Sequence, residues 1–154
     1  MYSPMPLGPE GAMLLVESSL LQRLENFRQI NITTPEAGGI LMGYRRGMHT
    51  HVTEATFPAS EDVQSRFGFV RRAAHHKHIA VRRWKDTGET LDYVGEWHTH
   101  PENDPAPSDI DIHHWMKITR SSTRPMVFVI IGRKRNWCGV GWERGIRCVG
   151  KGFS

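Results

Sequence analysis

The sequence predicts a single domain of the α/β or α+β class, with a mixed β-sheet flanked by helices. Its 154 residues suit one hydrophobic core and do not require two. Helix-like and strand-like segments follow one another in the order α-β-β-α-β-α-β-β, which is typical of helices layered on a sheet. The continuous apolar run at residues 126–131 is typical of a buried strand at the centre of such a sheet.

The first half of the chain is expected to supply a tail, a helix and a hairpin. Residues 1–11 contain three prolines and two glycines and have no apolar periodicity, so we expect a loose or docked tail ahead of a domain spanning residues 12–154. Apolar residues recur at helical spacing over residues 18–30, which predicts a helix there. Residues 40–44 and 49–57, separated by a turn-like segment, predict a β-hairpin.

The second half predicts two helices and three main strands, with a short further strand near the C-terminus. A polar connection at 59–69 precedes a helix over 70–85, whose buried positions would be Ala73, Ala74, Ile79 and Ala80. A central strand is expected at 91–100, and a loop with three prolines then delays the next helix until Ser108. The remaining strands are predicted at 126–131, 136–143 and 146–149.

Composition and the N-terminal sequence limit the partners, the cellular location and the cysteine chemistry that we expect. The chain carries a net charge of +4 and a pI near 9.4, which permits a nucleic-acid or acidic-protein partner without requiring one. The N-terminus has neither a signal peptide nor a membrane span, so we expect a cytoplasmic protein. Its two cysteines, Cys138 and Cys148, are too few for a disulfide framework or a structural zinc site, and we expect both to pack in the core.

The segment GEWHTHPENDPAPSDIDIHHW at residues 95–115 contains the residues best suited to bind a metal. His98 and His100 are two residues apart on a predicted strand, so their side chains share one face. Imidazole and carboxylate groups are the ligands of catalytic zinc sites, which keep a fourth position for water. Asp111, delivered on a helix start by a short loop, is the natural third ligand.

Ser108 and Asp111 also have a purely structural interpretation. The pattern Ser-x-x-Asp before an apolar run resembles a capping box, in which both side chains satisfy backbone N–H groups at a helix start. For this pair alone the cap is the better interpretation. The metal site is favoured only because two histidines on one strand face and a carboxylate on the following helix start occur together.

A hydrolytic metal site also needs a base, and the residues leave three candidates open. The carboxylates are Glu36, Glu54 and Glu96. Glu96 shares the strand face of the histidines, whereas Glu36 lies at the entrance of a predicted strand, between a proline and a glycine pair. Spacing alone does not choose between them.

These residues together resemble a known family. Glu36 followed by His98-Thr-His100-Pro, seven further residues and Ser108-x-x-Asp111 is similar to the complete JAMM motif of the JAB/MPN metallopeptidases. The resemblance implies that His98, His100 and Asp111 bind Zn²⁺ and that Glu36 is the general base for the attacking water. It also implies that Ser108 hydrogen-bonds the oxyanion, that Asp111 serves the metal rather than a cap, and that Glu96 is only a neighbour.

Within the family, the chain length and the GEWHTHPE form of the motif resemble short bacterial proteins encoded beside E1-like and E2-like conjugation enzymes. Some of these belong to anti-phage cyclic-nucleotide signalling operons and remove a nucleotidyltransferase joined through its C-terminus to a target. The resemblance implies an isopeptidase that acts on a conjugated protein by direct water attack. Its substrate would be a cyclic-nucleotide synthase conjugated by E1/E2-like enzymes.

The opposing hypothesis is a binding module that uses the predicted helix at 70–85. This helix is rich in arginine, lysine and histidine and could lie on the phosphates of a nucleic acid. Some bacterial proteins of similar motif are linked to DNA repair. A solvated basic helix face is the commoner reason for such a pattern, so the nucleic-acid role remains the alternative.

Overall fold

The fold was obtained as a computed structural model that describes residues 2–7, 11–58, 63–64, 69–70, 73–143 and 145–153. Three helices and ten strands form within these residues. The helices are α1 (Ser18–Glu25), α2 (Ala73–Asp86) and α3 (Asp109–Arg120). The strands are β1 (Tyr2–Pro6), β2 (Met13–Glu17), β3 (Gly38–Arg46), β4 (His49–Ala55), β5 (Val63–Gln64), β6 (Phe69–Val70), β7 (Asp92–Thr99), β8 (Met126–Ile131), β9 (Asn136–Trp142) and β10 (Gly145–Phe153).

Eight strands form one mixed sheet in the order β1-β2-β4-β3-β7-β8-β9-β10, and β5 pairs with β6 separately. The β2/β4 and β7/β8 pairs are parallel, and the other pairs of the large sheet are antiparallel. Helix α3 makes the crossover between β7 and β8, because parallel neighbours cannot be joined by a tight turn. The predicted class, a mixed sheet with helices, is confirmed.

Strand β8 shows how the two faces of the sheet are covered. All six of its residues are buried, as the continuous apolar run predicts. Val127, Val129 and Ile131 pack in the core on the side of α1. Phe128 and its neighbours at the alternate positions pack with Trp115 of α3, whose indole stacks on the Phe128 ring at a centroid distance of 4.6 Å. The sheet is therefore buried on both faces at its centre.

The N-terminal part of the sheet differs from the prediction. Tyr2–Pro6 is an edge strand paired with Met13–Glu17, whereas the sequence predicts no strand in either segment. Met5 and Leu7 are buried and hold this hairpin on the core. The pattern is too short to show periodicity, and its prolines are tolerated because β1 lies at the sheet edge, where one side needs no N–H donors.

Other boundaries and one burial prediction also need correction. Helix α1 ends at Glu25 instead of continuing to residue 30, and β10 extends to Phe153, beyond the predicted strand at 146–149. Cys138 is buried as expected, and burial raises the pKa of its thiol well above the ordinary value. The prediction of core packing is wrong for Cys148, which is exposed on the edge strand β10; both thiols are free.

Helix α2 begins at Ala73, and the predicted start of its segment falls partly outside the described residues. Ile79 and Ala80 pack partly buried against Ile40 and Met42 of β3, whereas the predicted burial of Ala73 and Ala74 lies outside the described side chains. No helix within the described ranges combines the length and the apolar composition needed to span a membrane.

Gly95 of β7 is paired with Val127 of β8. A Cβ atom at this position would overlap the carbonyl oxygen of Val127. We expect Gly95→Ala to lower the free energy of unfolding by about 3 kcal/mol, because the two central strands would have to separate. Urea denaturation measures this change. Gly145→Ala is the matched control, since a Cβ atom there meets no atom within 4 Å, and equal losses in the two variants would contradict the prediction.

Candidate metal centre

Two histidines converge at the C-terminal end of β7. Side chains alternate along the strand, so Glu96 and His98 point to the side of α3, where the His98 ring lies 5.5 Å from the ring of Trp115. His100 follows directly after the strand and continues the same alternation. The Nε2 atoms of His98 and His100 are 3.0 Å apart, so both rings present a nitrogen to one point.

Asp111 meets these nitrogens from the first turn of α3. Its Oδ2 atom lies 3.3 Å from Nε2 of His98 and 3.1 Å from Nε2 of His100. The same oxygen accepts a hydrogen bond of 2.9 Å from the backbone N–H of Ser108, which is the N-cap of α3. The family resemblance implies that Asp111 serves the metal and not the helix cap. The exclusion of the cap is wrong, because the same carboxylate oxygen faces the histidines and completes the capping box.

Ser108 supplies the other half of the capping box. Its Oγ atom accepts a hydrogen bond of 3.1 Å from the backbone N–H of Asp111. The hydroxyl still carries a hydrogen that it can donate, since a serine hydroxyl accepts and donates at once. Ser108 is exposed at the rim of the centre, so a substrate could reach this hydrogen.

Glu36 reaches the centre from the neighbouring strand. The antiparallel register pairs Gly38 of β3 with His98, and the backbone N–H of Thr99 donates to the carbonyl oxygen of Ala37 at 2.9 Å. Continuing this register brings Glu36 opposite His100. Ligand atoms of Glu36, His98 and His100 all lie within 4.8 Å of one another.

The other two candidate carboxylates have different partners. Glu54 binds Arg83 through both carboxylate oxygens, at 2.9 and 2.7 Å. Glu96 is buried on the same strand face as His98, and its Oε2 atom lies 3.3 Å from Nε2 of His114. Among the three glutamates left open by the sequence, Glu36 is the one that the structure groups with the two histidines.

Burial and neighbouring charges shift the pKa values of three groups in the centre. Burial alone would raise the pKa of Asp111, but hydrogen bonds from His100 and His98 outweigh it and hold that pKa far below the ordinary value. Burial raises the pKa of Glu36, and the nearby His98 and His100 reverse part of this rise. Burial would lower the pKa of His100, yet its contacts with Asp111 and Glu102 prevail and raise it.

Glu102 is a participant that the sequence reasoning missed. Its Oε1 atom lies 2.8 Å from Nδ1 of His100, on the far side of the ring from the centre. A carboxylate at this position orients the imidazole and favours the tautomer whose Nε2 lone pair faces the centre. A carboxylate two residues after a candidate ligand was the signal that could have indicated this role.

The donor set fits a divalent metal ion. Two imidazole nitrogens and a carboxylate oxygen converge within 3.0–3.3 Å of one another, and a second carboxylate lies close by. Nitrogen and oxygen ligands of this kind suit zinc and its first-row neighbours, and three protein ligands leave one position of a tetrahedral ion open. The binding of a cation would also reduce the repulsion between two half-buried carboxylates.

The basic helix of the alternative hypothesis is partly neutralised. Arg83 of α2 forms its paired contact with Glu54 and lies 3.6 Å from Asp86. Arg82 and Lys77 are exposed, and the arginines at 71 and 72 lie outside the described residues. A cation already held by two carboxylates is poorly placed to bind a phosphate, so α2 offers less basic surface than its sequence indicates.

The fold and the centre together have the features of a JAB domain. The family model for prokaryotic homologs of the JAB domain matches residues 28–144, which include Glu36, both histidines, Ser108 and Asp111. The chain belongs to this family. The resemblance to the JAB/MPN metallopeptidases predicted from the JAMM motif is thereby confirmed.

Two relatives and one solved structure are similar to the chain over most of its length. The chain is 39% identical over 126 residues to a CD-NTase/cGAS isopeptidase of Escherichia coli (strain TW11681), covering 82% of this chain and 80% of the relative. It is 37% identical over 127 residues to a protein of the same name from Vibrio cholerae, covering 82% and 81%. The solution structure of protein DSY2949 from Desulfitobacterium hafniense is similar in fold, with a TM-score of 0.59, 20% identity, and coverage of 86% of this chain and 87% of that one.

The contact between Asp111 and His100 has a measurable consequence in the metal-free protein. We expect the pKa of His100 to lie above 6.5 and to fall in Asp111→Asn. The substitution removes the negative charge that stabilises the charged ring, whereas burial still disfavours that form. NMR titration of the imidazole signals after chelator treatment measures both values. Asp109→Asn changes an exposed neighbour on the same helix turn and should leave the His100 titration in place. An unchanged pKa in Asp111→Asn would contradict this account of the centre.

Proposed function

We propose that this protein is a zinc-dependent isopeptidase that hydrolyses the amide formed by the C-terminus of a conjugated protein. The observation that supports it most directly is the convergence of Glu36 with two histidines, because this adds a base to a metal centre. A domain that only bound its partner would not need that carboxylate. The isopeptidase names of relatives that align with four-fifths of the chain support the same function.

In this proposal His98, His100 and Asp111 hold the metal and Glu36 does not. The two imidazoles and Asp111 lie within 3.0–3.3 Å of one another, and all three groups are oriented by a strand or a capped helix. A bound zinc ion supplies Lewis acidity and lowers the pKa of water to roughly 7. Glu102 then acts through His100, as the outer carboxylate of a carboxylate–histidine pair.

Glu36 transfers the protons of the hydrolysis. Its pKa is raised by burial, so the carboxylate is a stronger base than an exposed glutamate. It removes one proton from the attacking water as the water oxygen bonds to the amide carbon. It then delivers that proton to the leaving nitrogen as the carbon–nitrogen bond breaks, which gives a carboxylic acid and an amine. The remaining proton of the acid passes to the amine or to bulk water and leaves a carboxylate. Water is the nucleophile throughout, and no covalent intermediate with the protein forms.

Ser108 stabilises the oxyanion that develops on the carbonyl oxygen. Its Oγ atom is fixed by the N–H of Asp111, so its remaining hydrogen is aimed without a further loss of side-chain freedom. Loss of one such donor costs about 3 to 4 kcal/mol of transition-state stabilisation in other hydrolases. The donor stands beside a metal ligand, as a group that contacts the scissile carbonyl must.

The substrate is proposed to be a cyclic-nucleotide synthase conjugated through its C-terminus by E1/E2-like enzymes, in anti-phage defence. The relatives named CD-NTase/cGAS isopeptidase support this class of substrate. An exposed apolar side chain, Ile110, lies between Asp109 and Asp111 on the first turn of α3 and is 82% exposed.

The separation of base and ligands can be tested with one substitution. We expect Glu36→Ala to abolish amide cleavage while about one zinc ion per chain is still bound, since three ligands remain. Product analysis and metal quantification of the same purified samples measure the two properties. Glu96→Gln, which changes a neighbouring carboxylate, should retain cleavage. Loss of the metal from Glu36→Ala would make Glu36 a ligand, and retained cleavage would reassign the base, with Glu96 next to be tested.

The activity and the substrate class can be tested together. We expect the purified protein to release a nucleotidyltransferase that has been conjugated through its C-terminus, and we expect a chelator to stop the release and added zinc to restore it. Gel mobility and mass spectrometry of the released C-terminus measure the product. Release that persists in chelator would contradict the role of the metal, and no release under any condition would contradict the proposed substrate.

A further inference from the structure

We propose that Gln29 and Thr99 are positioning residues that hold Glu36 in register with the metal ligands. The inference rests on the proposed function, because it assigns a cause to the placement of the base. Neither residue touches the centre, and Thr99 points to the opposite face of β7 from His98 and His100. Their hydrogen bonds enclose the dipeptide Pro35-Glu36 from both sides.

Thr99 fixes the chain directly after Glu36. Its Oγ1 atom accepts a hydrogen bond of 2.9 Å from the backbone N–H of Ala37, and its own N–H donates to the carbonyl oxygen of Ala37 at 2.9 Å. Ala37 therefore has both of its backbone polar groups bound to one residue. That residue lies between His98 and His100, so the ligand strand and the base-bearing segment are joined at a single position.

Gln29 fixes the chain directly before Pro35. Its side-chain Nε2 donates to the carbonyl oxygen of Thr34 at 3.2 Å, and its Oε1 accepts from the hydroxyl of Thr99 at 2.9 Å. The hydroxyl of Thr99 therefore accepts from Ala37 and donates its single hydrogen to Gln29. Thr34 and Ala37 flank Pro35-Glu36, and the ring of hydrogen bonds through Gln29 and Thr99 leaves the Glu36 backbone little freedom to shift.

Burial makes these contacts obligatory. Gln29 and Thr99 are both 0% exposed, so water cannot replace a partner that is lost. A buried donor or acceptor without a partner is disfavoured, so the segment is expected to move until its groups are satisfied again. Pro35 lacks an N–H group and so cannot donate a replacement hydrogen bond. A displacement there carries the Glu36 carboxylate away from the ligands.

The test compares variants of the full-length, zinc-loaded protein. Thr99→Val keeps the size and branching of the side chain and removes the hydroxyl, and Gln29→Met removes the amide. We expect kcat to fall by about 100-fold in each, as for other small misplacements of a reacting group, with KM and zinc content close to wild type. Thr99→Ser, which can still accept and donate, should restore most of kcat. Amide exchange at Ala37 should quicken in Thr99→Val.

Thr119→Val is the matched control. Thr119 is 2% exposed, and its hydroxyl has no hydrogen-bond partner among the described residues, so its loss should leave kcat and the exchange at Ala37 unchanged. Wild-type kcat in Thr99→Val, or an equal loss in Thr119→Val, would overturn the proposal. Equal losses in Thr99→Val and Thr99→Ser would also overturn it, because the hydroxyl would then not be the cause.

A second measurement separates this inference from the proposed activity. If the wild-type protein cleaves no amide, the proposed function fails. The position of Glu36 is still observable by NMR. We expect zinc to change the carboxyl ¹³C shift of Glu36 in the wild type and to change it less in Thr99→Val. The same zinc-induced change in both proteins would overturn the positioning role, whatever the outcome of the cleavage experiment.

Discussion

The alternation of side chains along β7 is the constraint on which the rest of the centre depends. Because successive residues point to opposite faces, His98 and His100 meet on the side of α3 while Thr99 is buried on the side of α1. The strand is held by β3 on one edge and β8 on the other, so its register is fixed by two ladders of hydrogen bonds. The proposed metal ligands and the proposed positioning residue Thr99 therefore belong to the same short segment.

The helix start at Ser108 positions Asp111, the proposed third ligand, through its capping box. A capping box normally satisfies backbone donors at a helix N-terminus, and the positive end of the helix favours a carboxylate there. In this domain the capping oxygen of Asp111 also faces two imidazoles. The helix cannot start elsewhere without moving the ligand. The helix cap and the proposed metal contact therefore constrain the same residue. The two roles are compatible, because a single carboxylate oxygen can serve both.

Residue patterns predicted many of the helices and strands. Periodicity predicted β8, the hairpin of β3 and β4, and α3, because these elements have long apolar patterns or sharp boundaries. It missed β1 and β2, since two five-residue strands near prolines and glycines give too little periodicity and are held by contacts with the core. It extended α1 to residue 30, although Gln29 lies outside the helix, where its side chain binds Thr34 and Thr99.

Residue patterns alone predicted a metal-binding centre and indicated the family of the protein. Spacing of two on a strand brings two imidazoles together, and the order of the motif elements is a property of the chain alone. Spacing left three glutamates open and the family resemblance implied Glu36, but how Glu36 reaches the histidines depends on tertiary structure alone, because it is 62 residues from His98 and approaches it through strand pairing. The same is true of Gln29 and Glu102, whose partners follow from packing and from ring orientation. Local patterns report periodicity and caps, whereas contacts between distant segments depend on how the sheet is assembled.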